Sequence, residues 1–148
     1  MLLTPTRSVS GYVMFLCGVP IAWKSKQLKS VALSSSEAEF VAASEAVKDI
    51  LFVVQVLESL DVAVEKPVVV RVDNMGAIFM SGNNSSSART RHIDTRWHFV
   101  RELVEDKVVE VVFVKSQDNK SDMFTKNLNG DLFGAHVGDL VWDKSVVK

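Results

Sequence analysis

The feature that most constrains the fold of this chain is a long stretch of helical spacing that leads into a valine-rich segment. Apolar residues recur every three or four positions from Ser36 to about Leu60, which predicts a long amphipathic helix. Pro67 then precedes the run Val68–Val72, whose nearly continuous apolar character is typical of a strand buried on both faces. A long helix followed by a buried strand favours an α/β architecture around one layered core.

Shorter signals predict a hairpin before this helix and a second helix after the strand. The β-prone run Gly11–Leu16 and a strand that starts at Ile21 flank the breakers Gly18 and Pro20, so we expect a hairpin. Helical spacing returns from about Thr90 to Asp106, and the expected buried stripe is Ile93, Trp97, Val100 and Val104. We expect Cys17, Trp23 and Trp97 to lie in the core.

The C-terminal part is predicted to contain a strand, a short helix and a tail. Residues 108–114 are typical of a strand, and Asp118–Leu128 indicates a last short helix that Asn129-Gly130 ends. Beyond Gly130 the periodicity weakens. We therefore divide the chain into a domain at residues 1–128 and a C-terminal tail at residues 129–148.

Composition fits one globular domain and excludes several classes of protein. At 148 residues and 16.4 kDa, with 47% hydrophobic and 24% charged residues, the chain can bury a single sizeable core. The net charge of −1 provides no global basic field, so any binding of nucleic acid must come from local charge asymmetry. A lone Cys17 excludes an internal disulfide and favours a reducing compartment. We expect no transmembrane span and no signal peptide.

Three carboxylates occur at the ends of predicted elements. Glu39 is placed in the first turn of the long helix, Asp73 directly after the valine strand, and Asp122 at the start of the last short helix. Carboxylates that converge repel one another, and a divalent cation such as Mg²⁺ relieves that repulsion. Each has a simpler alternative: Glu39 as a capping-box glutamate, Asp73 as a helix N-cap, and Asp122 as a solvated first-turn acid.

A basic segment lies between the second and third carboxylates. Arg89 and Arg91 are near the N-terminus of the predicted second helix, where the helix dipole disfavours cations, and His92 and Arg96 share one face of it. Positions that oppose local stability are candidates for contact with phosphates, although a solvated face is the alternative. A metal site beside a polyanion site indicates phosphodiester chemistry.

These segments together resemble the ribonuclease H domain of copia-type LTR-retrotransposon polyproteins. The resemblance spans roughly Ser8 to Leu128, and the ordered set is far more specific than any single segment. It is carried by Ser10–Val13, Ala32–Phe40, Asp73-Asn74, Arg89–Asp94 with His98–Glu102, and Asp122–Lys126. The family resemblance implies a ribonuclease H-like mixed sheet with flanking helices. It also implies cleavage of the RNA strand of RNA–DNA hybrids by two Mg²⁺ ions, with Mn²⁺ as an alternative, held by four carboxylates.

By that resemblance, Glu39, Asp73 and Asp122 are the catalytic and metal-binding residues, with Glu37 as the rival of Glu39. Nucleic-acid binding is assigned to Arg89, Arg91, His92 and Arg96, and recognition of the ribose 2′-hydroxyl to Asn74 or the backbone of Ser34–Ser36. The implied partners are an RNA–DNA hybrid and the rest of a polyprotein that contains the reverse transcriptase. The implied location is a retrotransposon particle in the cytoplasm, or the nucleus.

One departure from the family pattern concerns its first strand, which is central in the sheet and carries the fourth carboxylate. That aspartate precedes the Ser-Gly-Tyr-Val motif in the family, whereas no aspartate precedes Asp49 here. We therefore expect a domain without its first strand and with impaired activity. The alternatives are a non-catalytic remnant that binds nucleic acid or is purely structural, and a protein completed by a partner that pairs with exposed sheet edges.

Overall fold

A computed structural model describes residues 9–27, 35–74 and 88–140, except the side chains of residues 35–36, 88–94 and 139. The described part is mixed α/β, as predicted. Its elements in chain order are β1 Val9–Leu16, β2 Val19–Gln27, α1 Ser35–Ser59, β3 Val68–Val72, α2 Ala88–Glu105, β4 Val109–Phe113, the 3₁₀ turns η1 Ser116–Asp118 and η2 Lys120–Phe124, and α3 Gly130–Leu140.

The predicted hairpin is confirmed, but its turn lies earlier than the breakers suggested. Strands β1 and β2 pair antiparallel from Val9 opposite Gln27 to Leu16 opposite Val19. Cys17 and Gly18 form the turn with φ of 51° and 80°, the left-handed values that match the twist of a two-residue hairpin. Cys17 is therefore exposed. Trp23 is 63% exposed on β2, so the prediction that these two residues lie in the core was wrong.

Helix α1 supplies one side of the main hydrophobic core. Its apolar stripe packs against β3 and β4, and the buried residues of this core are Val47, Ile50, Val54, Val70, Val72 and Val109. These apolar residues form a stripe because residues three, four and seven apart lie on one helical face. The helix ends at Ser59, where the sequence predicted an end near Leu60.

Strands β3 and β4 form a parallel pair, with Val68 opposite Val109 and Val72 opposite Phe113. The expectation that the valine strand is buried on both faces was wrong. Val70 and Val72 are buried, whereas Val69 is 48% exposed and Arg71 is also exposed. The alternation arises because, within the described residues, packed elements cover only the face that carries Val70 and Val72.

Helix α2 packs against the core through a stripe that differs from the predicted one. Val100 is buried as expected, but Val104 is 40% exposed. Phe99 and Leu103 contact the core cluster instead. Trp97 is half-buried and packs against Phe40 of α1, with ring centroids 6.0 Å apart. The helix is thus rotated by about one residue relative to the prediction.

The C-terminal part contains more regular structure than the sequence indicated. The predicted helix over Asp118–Leu128 is two 3₁₀ turns, and residues 130–140 form a helix where a tail was expected. Asn129 starts this helix rather than ending the previous one, because its side-chain oxygen accepts a hydrogen bond of 2.8 Å from the Leu132 amide. His136 of this helix is buried. Residues 141–148 lie outside the described part.

The two strand pairs are separate sheets rather than the one mixed sheet implied by the family resemblance. In the described part of the chain β1 pairs with β2, β3 pairs with β4, and no ladder joins the pairs. Helix α1 lies against both pairs: it packs on β3, and Asp49 accepts a hydrogen bond from the Tyr12 hydroxyl of β1. None of the described helices is long and apolar enough to cross a membrane.

Candidate functional site

The predicted carboxylates lie together where strand β3 ends. Asp73 follows the last residue of β3, and its side chain is only 5% exposed. Its Oδ2 lies 3.2 Å from Nζ of Lys126. An aspartate at the carboxyl end of a buried strand is held at the rim of the core, a common position for binding sites in α/β folds.

Asp122 is brought to the same point by the 3₁₀ turn η2. It is buried and lies inside the turn rather than at its start, which corrects the predicted position. Its Oδ2 accepts hydrogen bonds from Oγ of Ser116, at 2.9 Å, and from Nζ of Lys126, at 3.0 Å. Its Oδ1 accepts one from Nδ2 of Asn119, at 3.3 Å. These donors fix the orientation of the carboxylate.

Glu39 completes the group from helix α1. Glu37, not Glu39, is the acidic residue of the first turn, so the predicted place of Glu39 was one turn too early. Glu39 is hydrogen-bonded to Asp73 and shares a cavity of about 200 Å³ with Asp122 and Lys126. Glu37 does not line that cavity. The geometry therefore favours Glu39 over its rival. The capping-box alternative involves Ser34 or Ser36, whose side chains lie outside the described part.

A glycine in β1 allows the turn that carries Asp122 to approach the hairpin. A Cβ on Gly11 would lie 2.7 Å from the Lys24 carbonyl oxygen and 2.9 Å from Cγ2 of Thr125, closer than such atoms normally come. Oγ of Ser25 also donates a hydrogen bond of 2.7 Å to the Phe124 carbonyl. The hairpin therefore positions η2, and through it Asp122.

The ionisable groups of the cluster have pKa values that are shifted in different directions. Burial, with the hydrogen bond to Asp73 and the charge of that residue, raises the pKa of Glu39 from 4.5 to about 7. Burial also opposes ionisation of Asp73, but hydrogen bonds from Glu39, Lys126 and Asn119 outweigh it and lower the pKa of Asp73. Burial disfavours the Lys126 ammonium, yet bonds to Asp122 and Asp73 raise the pKa of Lys126. Near neutral pH, therefore, part of the Glu39 population carries a proton.

The donor set suits a hard divalent cation, but its present arrangement does not form a complete metal site. Carboxylate oxygens are the ligands that Mg²⁺ prefers, and Oε2 of Glu39 is buried without a hydrogen-bond partner among the described residues. However, no described group of three or more Asp, Glu, His or Cys side chains has the geometry to hold a metal ion. The Lys126 ammonium contacts both aspartates, so a cation that bridges them must displace it.

The structure describes the side chains of only some of the residues that were predicted to bind nucleic acid. The side chains of Arg89, Arg91 and His92 lie outside the described part, although their backbone forms the first turns of α2. Arg96 points toward helix α1, where its Nη1 donates to Oγ of Ser44, at 2.8 Å, and Oε1 of Glu45, at 2.7 Å. Its side chain is 17% exposed, so it joins two helices. Nucleic-acid contact by these residues stays a prediction.

Glu45 is the centre of a small ion-pair network that links three elements. It contacts Arg96 of α2 and Lys24 of β2, at 2.7 and 3.3 Å. The hydrogen bond from Arg96, opposed by burial and supported by Lys24, lowers the pKa of Glu45 to about 2. Asn74, the predicted reader of the 2′-hydroxyl, follows Asp73 directly and is half-buried.

Sequence reasoning missed three residues of the cluster: Lys126, Asn119 and Ser116. Lys126 lies four positions after Asp122, a spacing that suits an ion pair within one turn of chain and that could have been noticed. Asn119 lies in the segment that was predicted to be an ordinary short helix, and Ser116 lies just before that segment. Its 3₁₀ geometry, which turns their side chains toward Asp122, has no clear signal in the sequence.

Fold and site together define a small mixed α/β domain that gathers three carboxylates and a lysine at one strand end. Its homologues are retrovirus-related Pol polyproteins from plant transposons. The chain is 40% identical over 120 residues, 81% of its length, to the polyprotein from transposon TNT 1-94 of Nicotiana tabacum. It is 32% identical over 126 residues, 85% of its length, to that from transposon RE1 of Arabidopsis thaliana, and 33% identical over 122 residues, 82% of its length, to that from transposon RE2 of the same plant.

The chain spans about a tenth of the length of these curated relatives: 9% of the TNT 1-94 and RE1 polyproteins and 8% of the RE2 polyprotein. No family model matches the chain. No solved structure matches it.

Proposed function

We propose that this chain is a retrotransposon-derived ribonuclease H-like domain whose reaction is cleavage of the RNA strand of RNA–DNA hybrids, and that its activity is impaired. The observation that carries the proposal is the convergence of Glu39, Asp73 and Asp122, which are far apart in sequence. The polyprotein homologues support a retrotransposon origin.

In this proposal the three carboxylates hold divalent cations. Bound Mg²⁺ would activate the attacking water and stabilise the leaving oxygen of the phosphodiester. Asp122 is held for this role by Ser116 and Asn119, and Asp73 by its place at the end of β3. Glu39 must lose its proton before it can bind a cation.

One feature of the described cluster supports impairment. Lys126 neutralises the two aspartates that a bridging cation needs. A second candidate function, a non-catalytic domain that binds the hybrid, is favoured by these ion pairs, because Lys126 already compensates the charge of both aspartates.

The deciding experiment measures cleavage of a hybrid with labelled RNA, in Mg²⁺ and in Mn²⁺, by the chain and two variants. Asp73→Asn removes a carboxylate of the cluster, and the matched control Asp61→Asn changes an exposed aspartate outside it. We expect weak cleavage of the hybrid but not of the corresponding DNA duplex, loss of it in Asp73→Asn, and no change in Asp61→Asn.

Two results would count against the proposal. Hybrid binding without cleavage in either metal would favour the non-catalytic function. If Asp73→Asn changes neither cleavage nor affinity, the carboxylates serve only the fold, and both functions lose their support.

A further inference from the structure

The side chains that hold Asp122 come from the chain immediately around it. Its carboxylate accepts hydrogen bonds from Ser116, at 2.9 Å, from Lys126, at 3.0 Å, and from Asn119, at 3.3 Å. These donors all lie between residues 116 and 126, and Asp122 itself is 4% exposed. One short segment therefore orients this buried carboxylate.

Asn119 joins the turns η1 and η2 of that segment. Its backbone amide donates to the Ser116 carbonyl, at 3.2 Å, and its carbonyl accepts from the Asp122 amide, at 3.1 Å. Asn119 is also the N-cap of η2, because its Oδ1 accepts hydrogen bonds from the amide of Ser121, at 3.2 Å, and from Oγ of Ser121, at 2.7 Å. The oxygen of the side-chain amide is thus occupied by the cap.

The nitrogen of the same side-chain amide faces the carboxylates. Nδ2 of Asn119 donates to Oδ1 of Asp122, and a hydrogen bond from Asn119 to Asp73 favours the ionised form of that aspartate. A primary amide carries two N–H groups, so one nitrogen can serve both aspartates. Because Ser121 holds Oδ1, the amide cannot turn over without directing its oxygen at Asp122.

Lys126 also contacts both aspartates, but at a different oxygen of Asp122. Its Nζ lies 3.0 Å from Oδ2 of Asp122 and 3.2 Å from Oδ2 of Asp73, whereas Asn119 donates to Oδ1 of Asp122. A divalent cation that bridges the aspartates must displace the ammonium. Asn119 is neutral and bound at the other oxygen of Asp122, so it can stay in place when the ammonium leaves.

We propose that Asn119 is a positioning residue of the candidate metal site, whose amide nitrogen holds Asp73 and Asp122 so that one divalent cation can reach both. The inference rests on the proposed function, in which these carboxylates hold divalent cations. It adds a residue that touches neither metal nor RNA and still sets the metal affinity. Groups that orient ligating side chains typically change metal affinity by about 10–100-fold when they are removed.

The test separates the cap from the positioning role by the choice of substitution. Serine and aspartate cap as well as asparagine does, so Asn119→Ser and Asn119→Asp both keep an oxygen for the Ser121 amide. Asn119→Ser loses the amide nitrogen. In calorimetric titration its affinity for Mn²⁺ should fall about tenfold or more, while its melting temperature without metal stays close to that of the wild type.

Asn119→Asp should act in the opposite direction on the metal. It directs a carboxylate oxygen at Asp122 where the wild type directs an N–H group, so the metal-free melting temperature should fall below that of Asn119→Ser. Added Mn²⁺ should then raise the melting temperature more than it does in the wild type, because the site has gained an oxygen ligand. A residue that only capped η2 would tolerate both substitutions equally.

Asn129→Ser is the matched control. Asn129 is an exposed N-cap, since its side-chain oxygen accepts a 2.8 Å hydrogen bond from the Leu132 amide of α3. The same substitution there removes an amide nitrogen that does not face the cluster. Asn129→Ser should therefore leave the affinity for Mn²⁺ unchanged.

Two results would overturn the inference and leave the proposed function standing. One is equal Mn²⁺ affinity in the wild type and Asn119→Ser. The other is equal metal-free melting temperatures of Asn119→Ser and Asn119→Asp, which would show that the amide nitrogen does not face the carboxylates. Absence of Mn²⁺ binding by the wild type is a different result. It rejects the proposed metal site, and this inference falls with it.

Discussion

At the scale of single residues, Glu39 should make the stability of the chain depend on pH. Its pKa is about 7 in the folded protein and 4.5 when unperturbed, so the folded state binds the extra proton between these values. Stability should therefore fall as pH rises from about 4.5 to 7 and level off above 7. In Glu39→Gln the fall should vanish.

Thermal melts of both proteins across this pH range, without metal, measure the difference. A parallel fall in wild type and Glu39→Gln would contradict the assignment and attribute the effect to other titrating groups. The same proton competes with a cation, so the affinity for Mn²⁺ should rise with pH through 7 in the wild type.

Lys126 should act as the resident cation of the cluster. Its ammonium lies 3.2 Å from Asp73 and 3.0 Å from Asp122. In Lys126→Met the aspartates lose this compensation, so the metal-free melting temperature should decrease and the affinity for Mn²⁺ should increase about tenfold or more, which corresponds to about 1.4 kcal/mol.

The matched control for this variant is Lys66→Met. Lys66 pairs with Glu58 at 2.7 Å and is 38% exposed, close to the 44% of Lys126, but it lies outside the cluster. Calorimetric titration with Mn²⁺ and melting curves compare the two. Unchanged affinity in Lys126→Met would show that lysine and metal do not compete, whereas no binding in any variant would reject the metal site itself.

The sequence predicted which carboxylates form this cluster, but it did not predict the hydrogen bonds and ion pairs between them. Glu39, Asp73 and Asp122 could be found because each lies near the end of a regular element, where distant segments meet. The hydrogen bond between Glu39 and Asp73 and the contacts of Lys126 depend on the positions of individual side-chain atoms, which spacing in the sequence does not determine. The misplacement of Glu39 by a turn came from the boundary of α1, the least predictable part of a helix.

At the scale of elements, Gly11 should control how the turn η2 meets the hairpin. Gly11→Ala brings a methyl group to 2.7 Å from a backbone oxygen, which cannot move aside as a flexible side chain can. We expect a loss of about 1–3 kcal/mol of stability and weaker Mn²⁺ binding, because η2 carries Asp122. Gly134→Ala in α3 is the matched control.

Gly134 lies in a helix, and among the described residues no heavy atom outside the adjoining backbone of that helix lies within 4 Å of an added Cβ. Gly134→Ala should therefore stabilise the protein by up to about 1 kcal/mol. Denaturant melts measure both changes. A neutral Gly11→Ala would mean that η2 can shift without cost, and the proposed support of Asp122 by the hairpin would fail.

Prediction of the elements succeeded where the periodic pattern was long. It failed where one residue type is compatible with two local structures. The helix α1 and the strand β4 were predicted almost to their ends. Asn129-Gly130 was interpreted as a helix stop, although the Asn129 side chain caps the next helix. Arg96 was assigned to nucleic acid from its place in the basic segment, which stays a prediction. No local signal reveals its partner Glu45, which lies 51 positions away.

At the scale of the whole molecule, no ladder joins the two described sheets. We therefore expect the two sheets to differ in the free energy needed to open them. The core of α1, β3 and β4 buries six large aliphatic side chains. The hairpin is joined to it by Met14 and by polar contacts such as Tyr12 to Asp49 and Lys24 to Glu45, and it exposes Trp23 and Ile21. Regions with fewer buried apolar contacts open at lower free energy.

We therefore expect amides of β1 and β2 to exchange through a local opening, and those of β3 and β4 only through global unfolding. Native-state hydrogen exchange in low denaturant tests this, because a local opening depends weakly on denaturant and a global one strongly. Equal opening energies in both pairs would show that α1 couples them into one cooperative unit.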